Sequence, residues 1–228
     1  MPQPTIVFDL DGTLIDTAPD LVATLNVILA REGLPEVPYE TARTFIGGGA
    51  RLMLERGLIA GSRDPAPQLL NRLFEEFLAY YAEHIADRSR PFPGLERALD
   101  DLAMRGCRLA VCTNKLEGLS VTLLDALRLT SRFATICGQD TFGIQKPDPL
   151  VLHKTVAAAG GTMASAVMIG DSATDIRAAQ AAGIPVIAVD FGYTDRHVSE
   201  FSPNRVIGHF DELVAAIEAV GALSPRNA

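Results

Sequence analysis

Short, β-rich apolar runs punctuate the chain at Thr5–Phe8, Leu109–Cys112, Thr135–Cys137, Val167–Ile169, Val186–Val189 and, more weakly, Arg205–Ile207. Runs of this length, rich in β-branched residues, predict strands. They are continuous rather than alternating, which predicts a parallel sheet covered on both faces. Longer segments with helical spacing separate most of them. Gly94–Arg105 ends at Gly106, and Leu116–Arg128 carries Leu119, Leu123, Leu124 and Leu127 at helical intervals. Asp148-Pro149 reads as an N-cap followed by proline at the first helical position, opening a helix that stops near Gly160. Ala173–Ala182 stops at Gly183, a helix-ending glycine. Strands alternating with helices predict an α/β fold built on a doubly wound parallel sheet. Right-handed crossovers would then bring every strand's C-terminal end to one edge, where ligands bind.

One stretch breaks this rhythm. Between Thr5–Phe8 and Leu109–Cys112 the chain holds helical patterns at Leu21–Arg31, Tyr39–Ile46, Ala50–Arg56 and Leu69–His84. A simple crossover needs only about a dozen residues. Asp16-Thr17-Ala18-Pro19 precedes the block and Arg90-Pro91-Phe92-Pro93-Gly94 follows it, both read as loops. Residues 17–90 are therefore expected to form a helical cap inserted after the first strand. Residues 1–16 and 91–228 are expected to form the sheet domain. Leaving from a strand's C-terminal end, the insert would stand over the ligand edge as a lid.

Composition narrows the class. With 228 residues, 48% of them hydrophobic and 21% charged, the chain can bury a sizeable core. Its formal charge of -8 disfavours nucleic acid and anionic membrane as partners. No apolar stretch approaches the roughly 18 residues of a membrane span. Met-Pro-Gln-Pro at the start does not read as a leader. Cys107, Cys112 and Cys137 are odd in number and fit no zinc spacing, which predicts buried thiols and a cytoplasmic setting.

The chemistry gathers at strand ends. Asp9-Leu10-Asp11-Gly12-Thr13-Leu14 follows the first strand, Thr113-Asn114-Lys115 follows Leu109–Cys112, and Gly170-Asp171-Ser172-Ala173-Thr174-Asp175 follows Val167–Ile169. Each taken alone is also an ordinary turn or helix cap. Lys146, in Gln145-Lys146-Pro147, is one of only three lysines, against seventeen arginines. Together, Asp9, Asp11, Asp171 and Asp175 would converge on one edge with one nearby lysine. Such a cluster makes electrostatic sense with a hard divalent cation, and carboxylate oxygens suit magnesium, Mg2+.

In this order the four segments resemble the four motifs of the haloacid dehalogenase-like (HAD) hydrolases. The resemblance spans nearly the whole chain, including the inserted cap. It implies a Rossmann-like core and a Mg2+-dependent phosphatase in which Asp9 is the nucleophile and Asp11 the acid and base. It further implies that Thr113 and Lys146 hold phosphoryl oxygens, and that Asp9, Asp11 and Asp171 surround the metal, Asp11 through its backbone carbonyl. Asp175 would orient the metal or Lys146. The cap's position and Gly47-Gly48-Gly49 are similar to the phosphoglycolate phosphatase branch, which implies 2-phosphoglycolate as substrate. Asn114, Gly48, Gly49 and Arg51 would then face the substrate, although Arg51 reads equally well as a solvated surface residue.

Other readings stay open on sequence. They are a phosphosugar phosphatase, a pyrophosphatase, a β-phosphoglucomutase-like phosphomutase and a non-catalytic phosphate-binding regulator. A dehalogenase is disfavoured because that branch lacks the second aspartate that Asp11 supplies. A lid over the cleft favours a small phosphorylated metabolite. Both a monomer and a homodimer are compatible with the sequence.

Overall fold

The computed structural model describes residues 3–194 and 196–223. Residues 1 and 2, in the segment from which the lack of a leader was read, lie outside that description. Among the described residues no helix is long and apolar enough to cross a membrane.

All six expected strands form, and they make one parallel sheet. They are β1 (Thr5–Phe8), β4 (Arg108–Cys112), β5 (Thr135–Cys137), β6 (Ala166–Gly170), β7 (Val186–Val189) and β8 (Arg205–Ile207), in the spatial order β5-β4-β1-β6-β7-β8. The intervening helices are α5 (Leu95–Met104), α6 (Glu117–Ala126), α7 (Pro149–Ala158), α8 (Ala173–Ala182) and α9 (Leu213–Ala219). Alternate strand residues face opposite sides of a sheet. Ile6 and Phe8 accordingly join a core with Leu99, Leu102, Leu124 and Ile217, from α5, α6 and α9. Val7 joins a second core with Leu152, Val156, Ile176 and Ala179, from α7 and α8. Helices therefore cover both faces, which is why the strands read as continuous apolar runs.

The chain winds outward from β1 through β4 to β5, then returns to place β6 on the other side of β1. The C-terminal end of β1 is thus the point where strand order reverses, the usual place for a crevice in such sheets.

The helices between β1 and α5 are α1 (Ala18–Arg31), α2 (Tyr39–Arg43), α3 (Ala50–Ala60) and α4 (Pro67–Glu83). α1 and α4 each start with proline in the first turn, where its missing N–H costs nothing. Leu25, Leu29, Met53, Leu58, Leu73 and Phe77 bury the inner faces of α1, α3 and α4 in the first core. Two boundaries differ from the sequence expectation. The flanking segments pair as short antiparallel strands, β2 (Ile15–Asp16) with β3 (Arg90–Pro91), so the chain enters and leaves the helical block side by side. The pattern at Tyr39–Ile46 forms a helix only to Arg43, because turns lead from Thr44 into Gly47-Gly48-Gly49.

Candidate active site

The loop after β1 is wound around one carbonyl. Leu10 C=O accepts from the N–H groups of Leu14 and Ile15, both at 3.0 Å, and Gly12 adopts φ +83°, which an L side chain resists. This turn aims Asp9 and Asp11 off the strand end. Asp9 is buried, and its Oδ1 accepts from the Leu10 N–H at 2.7 Å and lies 2.9 Å from Lys146 Nζ.

Lys146 arrives from the segment before α7. Its ammonium also donates to Asp175 Oδ1 at 2.6 Å, and both of these side chains are essentially sealed from solvent. The other oxygen of Asp175 accepts from the Ser172 N–H and hydroxyl while Ser172 caps α8, forming a reciprocal capping box. Both Asp175 oxygens are thereby engaged, so Asp175 fixes Lys146 and the start of α8. Asn114 clamps the same lysine through its backbone. Its Oδ1 accepts from the Lys146 N–H at 2.9 Å, and its Nδ2 donates to the Lys146 carbonyl at 3.1 Å. Asn114 also lines the cleft, so the residue expected to face substrate holds Lys146 as well.

Asp171, at the end of β6, accepts from the Thr13 hydroxyl at 3.1 Å and the Tyr193 N–H at 2.9 Å. Thr13 and Tyr193 carried no expected role. Tyr193 lies in the loop after β7, which no sequence pattern marked. Glycines wall this carboxylate. A Cβ on Gly12 would lie 2.4 Å from Asp171 Oδ2, and one on Gly192 would lie 2.3 Å from Asp171 Cβ.

Oxygens of Asp9, Asp171 and Asp175 all lie within 4.8 Å of one another, and all three residues are buried. Burial pushes the Asp9 carboxyl up to about 7, with Asp175 adding to the rise and Lys146 opposing it. Burial, with the charges of Asp175 and Asp9, pushes Asp171 up to about 8. Lys146 opposes these charges: despite burial it is held well above the ordinary lysine range by Asp175 and Asp9. One lysine therefore answers three carboxylates. The all-oxygen donor set and the surplus negative charge fit a hard divalent metal ion.

Asp11 turns the other way, toward the helical block. Lys115 Nζ donates to its two oxygens at 3.1 and 3.3 Å and to the Tyr81 hydroxyl of α4 at 2.9 Å. The sequence offered Lys115 only as a neighbour of Thr113 and Tyr81 only as helix packing. A cleft runs from Asp9, Asp11 and Thr113 up between Ala50, Phe74 and Tyr81. Gly47 and Gly49 line it, whereas Gly48 does not. Arg51 does not line it either: it is exposed, donates to Asn71 at 2.6 Å and lies over the Phe74 ring.

Residues 6–189 match the haloacid dehalogenase-like hydrolase family. A phosphoglycolate phosphatase of Mesorhizobium japonicum is 52% identical over 95% of this chain and 96% of its own. One of Caulobacter vibrioides is 47% identical over 90% and 87%. The crystal structure of a predicted phosphoglycolate phosphatase from Haemophilus somnus superposes with a TM-score of 0.87 at 27% identity, covering 93% of this chain and 97% of that one. The chain belongs to the haloacid dehalogenase-like hydrolases, and it is an enzyme.

Proposed function

We propose that this enzyme is a magnesium-dependent phosphatase acting on 2-phosphoglycolate, with residues 17–90 serving as its cap. The observation that carries the reading is the pairing of two differently placed carboxylates. Asp9 is buried beside Lys146, while Asp11 lies at the cleft and faces the helical block. Relatives of 52% and 47% identity that are phosphoglycolate phosphatases support the substrate. The cleft suits a small ester better than a phosphoprotein.

In this reading Asp9 attacks phosphorus, forming an acyl phosphate as the ester P–O bond breaks, and Asp11 gives its proton to the departing oxygen. Water then attacks the phospho-aspartate and yields a proton to Asp11. The bond to Asp9 breaks and inorganic phosphate leaves. The Leu10 N–H and Lys146 hold Asp9 Oδ1 in place, while Asp175 and Asn114 hold Lys146. Thr113, buried just after β4, would bind a phosphoryl oxygen. Asp9 and Asp171, with the Asp11 carbonyl, would hold the magnesium ion. When bound, it offsets the repulsion between an anionic nucleophile and an anionic substrate.

The three cysteines are free and buried, and burial raises Cys107 to about 11 and Cys112 to about 12. Cys112 and Cys137 are register neighbours on β4 and β5, so unpaired thiols there suit a reducing cytoplasm. A screen of small phosphorylated metabolites by kcat/KM tests the assignment. The highest value is expected for 2-phosphoglycolate, activity should cease in EDTA, and magnesium should restore it. A better substrate, or indifference to chelation, would overturn the corresponding part.

A further inference from the structure

Resting on the substrate class proposed above, we infer that Lys115 is the residue that recognises the carboxylate of the leaving group. Among the described residues it is the one lysine or arginine lining the cleft. The walls beyond it are largely apolar, with Leu21, Met53, Phe74 and Phe77 among them. An anionic leaving group drawn into such a site without a cation would carry a heavy desolvation cost.

The position fits the chemistry. Lys146 lies at the nucleophile, 2.9 Å from Asp9, on the phosphoryl side of the site. Lys115 lies on the leaving-group side, 3.1 Å from Asp11 Oδ1. An acid that protonates the departing oxygen must come within about 3 Å of it. A carboxylate on the carbon attached to that oxygen, as in a 2-phospho acid, then falls within reach of the same ammonium. An ammonium has three donors. Its contacts are to the two Asp11 oxygens and the Tyr81 hydroxyl, and the longer Asp11 contact, at 3.3 Å, is the one a ligand carboxylate would replace while the other two remain. The side chain is also held before substrate arrives: it is 6% exposed, bound to Asp11 on the core, and lies 4.4 Å from the centre of the Tyr81 ring on α4. A cation fixed in advance loses little freedom on binding. Its second partner, Tyr81, comes from the helical block, so the carboxylate pocket is complete only where that block meets the sheet edge.

A purely structural lysine that only steadied Asp11 would affect all substrates alike. The two roles separate in the ratio of kcat/KM for 2-phosphoglycolate to kcat/KM for ethyl phosphate, whose leaving group lacks the carboxylate. Any change in Asp11 enters both and cancels. Lys115→Met is expected to lower that ratio about 30-fold or more, the usual scale for losing a charged hydrogen bond. Lys115→Arg should retain most of it. If Lys115→Met does not fold, Lys115→Gln keeps partners for Asp11 and Tyr81, and the same fall in ratio is expected. An unchanged ratio in a folded Met or Gln variant overturns the inference. Failure of the substrate reading shows separately, in the wild type. If another carboxylated ester such as 2-phospholactate is preferred, the substrate changes and the role of Lys115 stands. If the wild type favours ethyl phosphate, both fall before any variant is made.

Discussion

Lys146 and Asp175, on different elements of the sheet domain, meet at 2.6 Å where neither side chain reaches solvent. The pair completes a circuit. Asp175 caps α8 through Ser172, Lys146 reaches Asp9, and Asn114 holds the Lys146 backbone. Removing one partner of a buried ion pair leaves a charge uncompensated, usually at a cost of about 3–5 kcal/mol. Here Asp9 still faces Lys146, so Asp175→Asn is expected near the lower end, about 3 kcal/mol. Urea unfolding should show a lower midpoint with an unchanged slope. Turnover should fall with it, because Lys146 is then steered by Asp9 alone.

The metal-free protein should lose stability as pH rises. Carboxylates in an unfolded chain release their protons near 4. In the folded chain Asp9 and Asp171 hold theirs to about 7 and about 8. Between those limits the folded state binds more protons, so its advantage is complete below about pH 4 and is lost as pH climbs through 7 and 8. Magnesium ions compete with those protons. Melting temperature in EDTA should therefore fall from pH 5 to pH 8, and the rise produced by magnesium should be small at pH 5 and large at pH 8. Asp171→Asn should flatten both trends, with a higher melting temperature than wild type in EDTA at pH 8 and little response to magnesium.

Asp9→Asn should leave the enzyme folded and without turnover, measured as phosphate release in a single-turnover assay. Asp11→Asn should behave differently, slowing both formation and hydrolysis of the phospho-enzyme by about 10²–10⁴-fold, the usual contribution of general acid–base catalysis. Acid-quench trapping of labelled enzyme distinguishes them. Asp9→Asn should give no label, and Asp11→Asn a slowly formed and slowly lost one. Label on Asp9→Asn would move the nucleophile elsewhere.

Much of this was legible in the chain because strand ends are marked by composition. Continuous apolar runs gave the six strands, and the polar residues following three of them are those that meet at the crevice: Asp9, Thr113 and Asp171. Lys146 stood out because lysine is scarce in this chain. What escaped notice depends on contacts between distant elements. Tyr81 carries the helical spacing of a packing residue, and its hydroxyl gains meaning only where α4 meets Lys115. Tyr193 binds Asp171 with its backbone and Asp16 with its hydroxyl, joining the acidic cluster to the point where the helical block begins. Neither bond leaves a periodic trace. Gly47 and Gly49 reach the cleft, but Arg51 beside them turns to Asn71, because one helical residue's direction is set by its neighbours in space.

Gly192 offers the most local test of the acidic cluster. Its backbone is not in the left-handed region, so alanine there adds no conformational strain. What alanine adds is a methyl group that would lie 2.3 Å from both Cβ and Oδ2 of Asp171. The contact with Cβ matters most, because that atom cannot swing aside as a flexible chain end can. Either the loop carrying the Tyr193 N–H withdraws or the Asp171 carboxylate is displaced, and both outcomes loosen the same oxygen. Disturbing a group that orients a metal ligand commonly costs about 10–100-fold in metal affinity. Gly192→Ala should therefore raise the magnesium concentration needed for half-maximal activity by about that factor. Activity at saturating magnesium should suffer less, since Asp9, Asp11 and Lys146 stay in place. A magnesium titration that overlays the wild type would mean that Asp171 does not hold the ion.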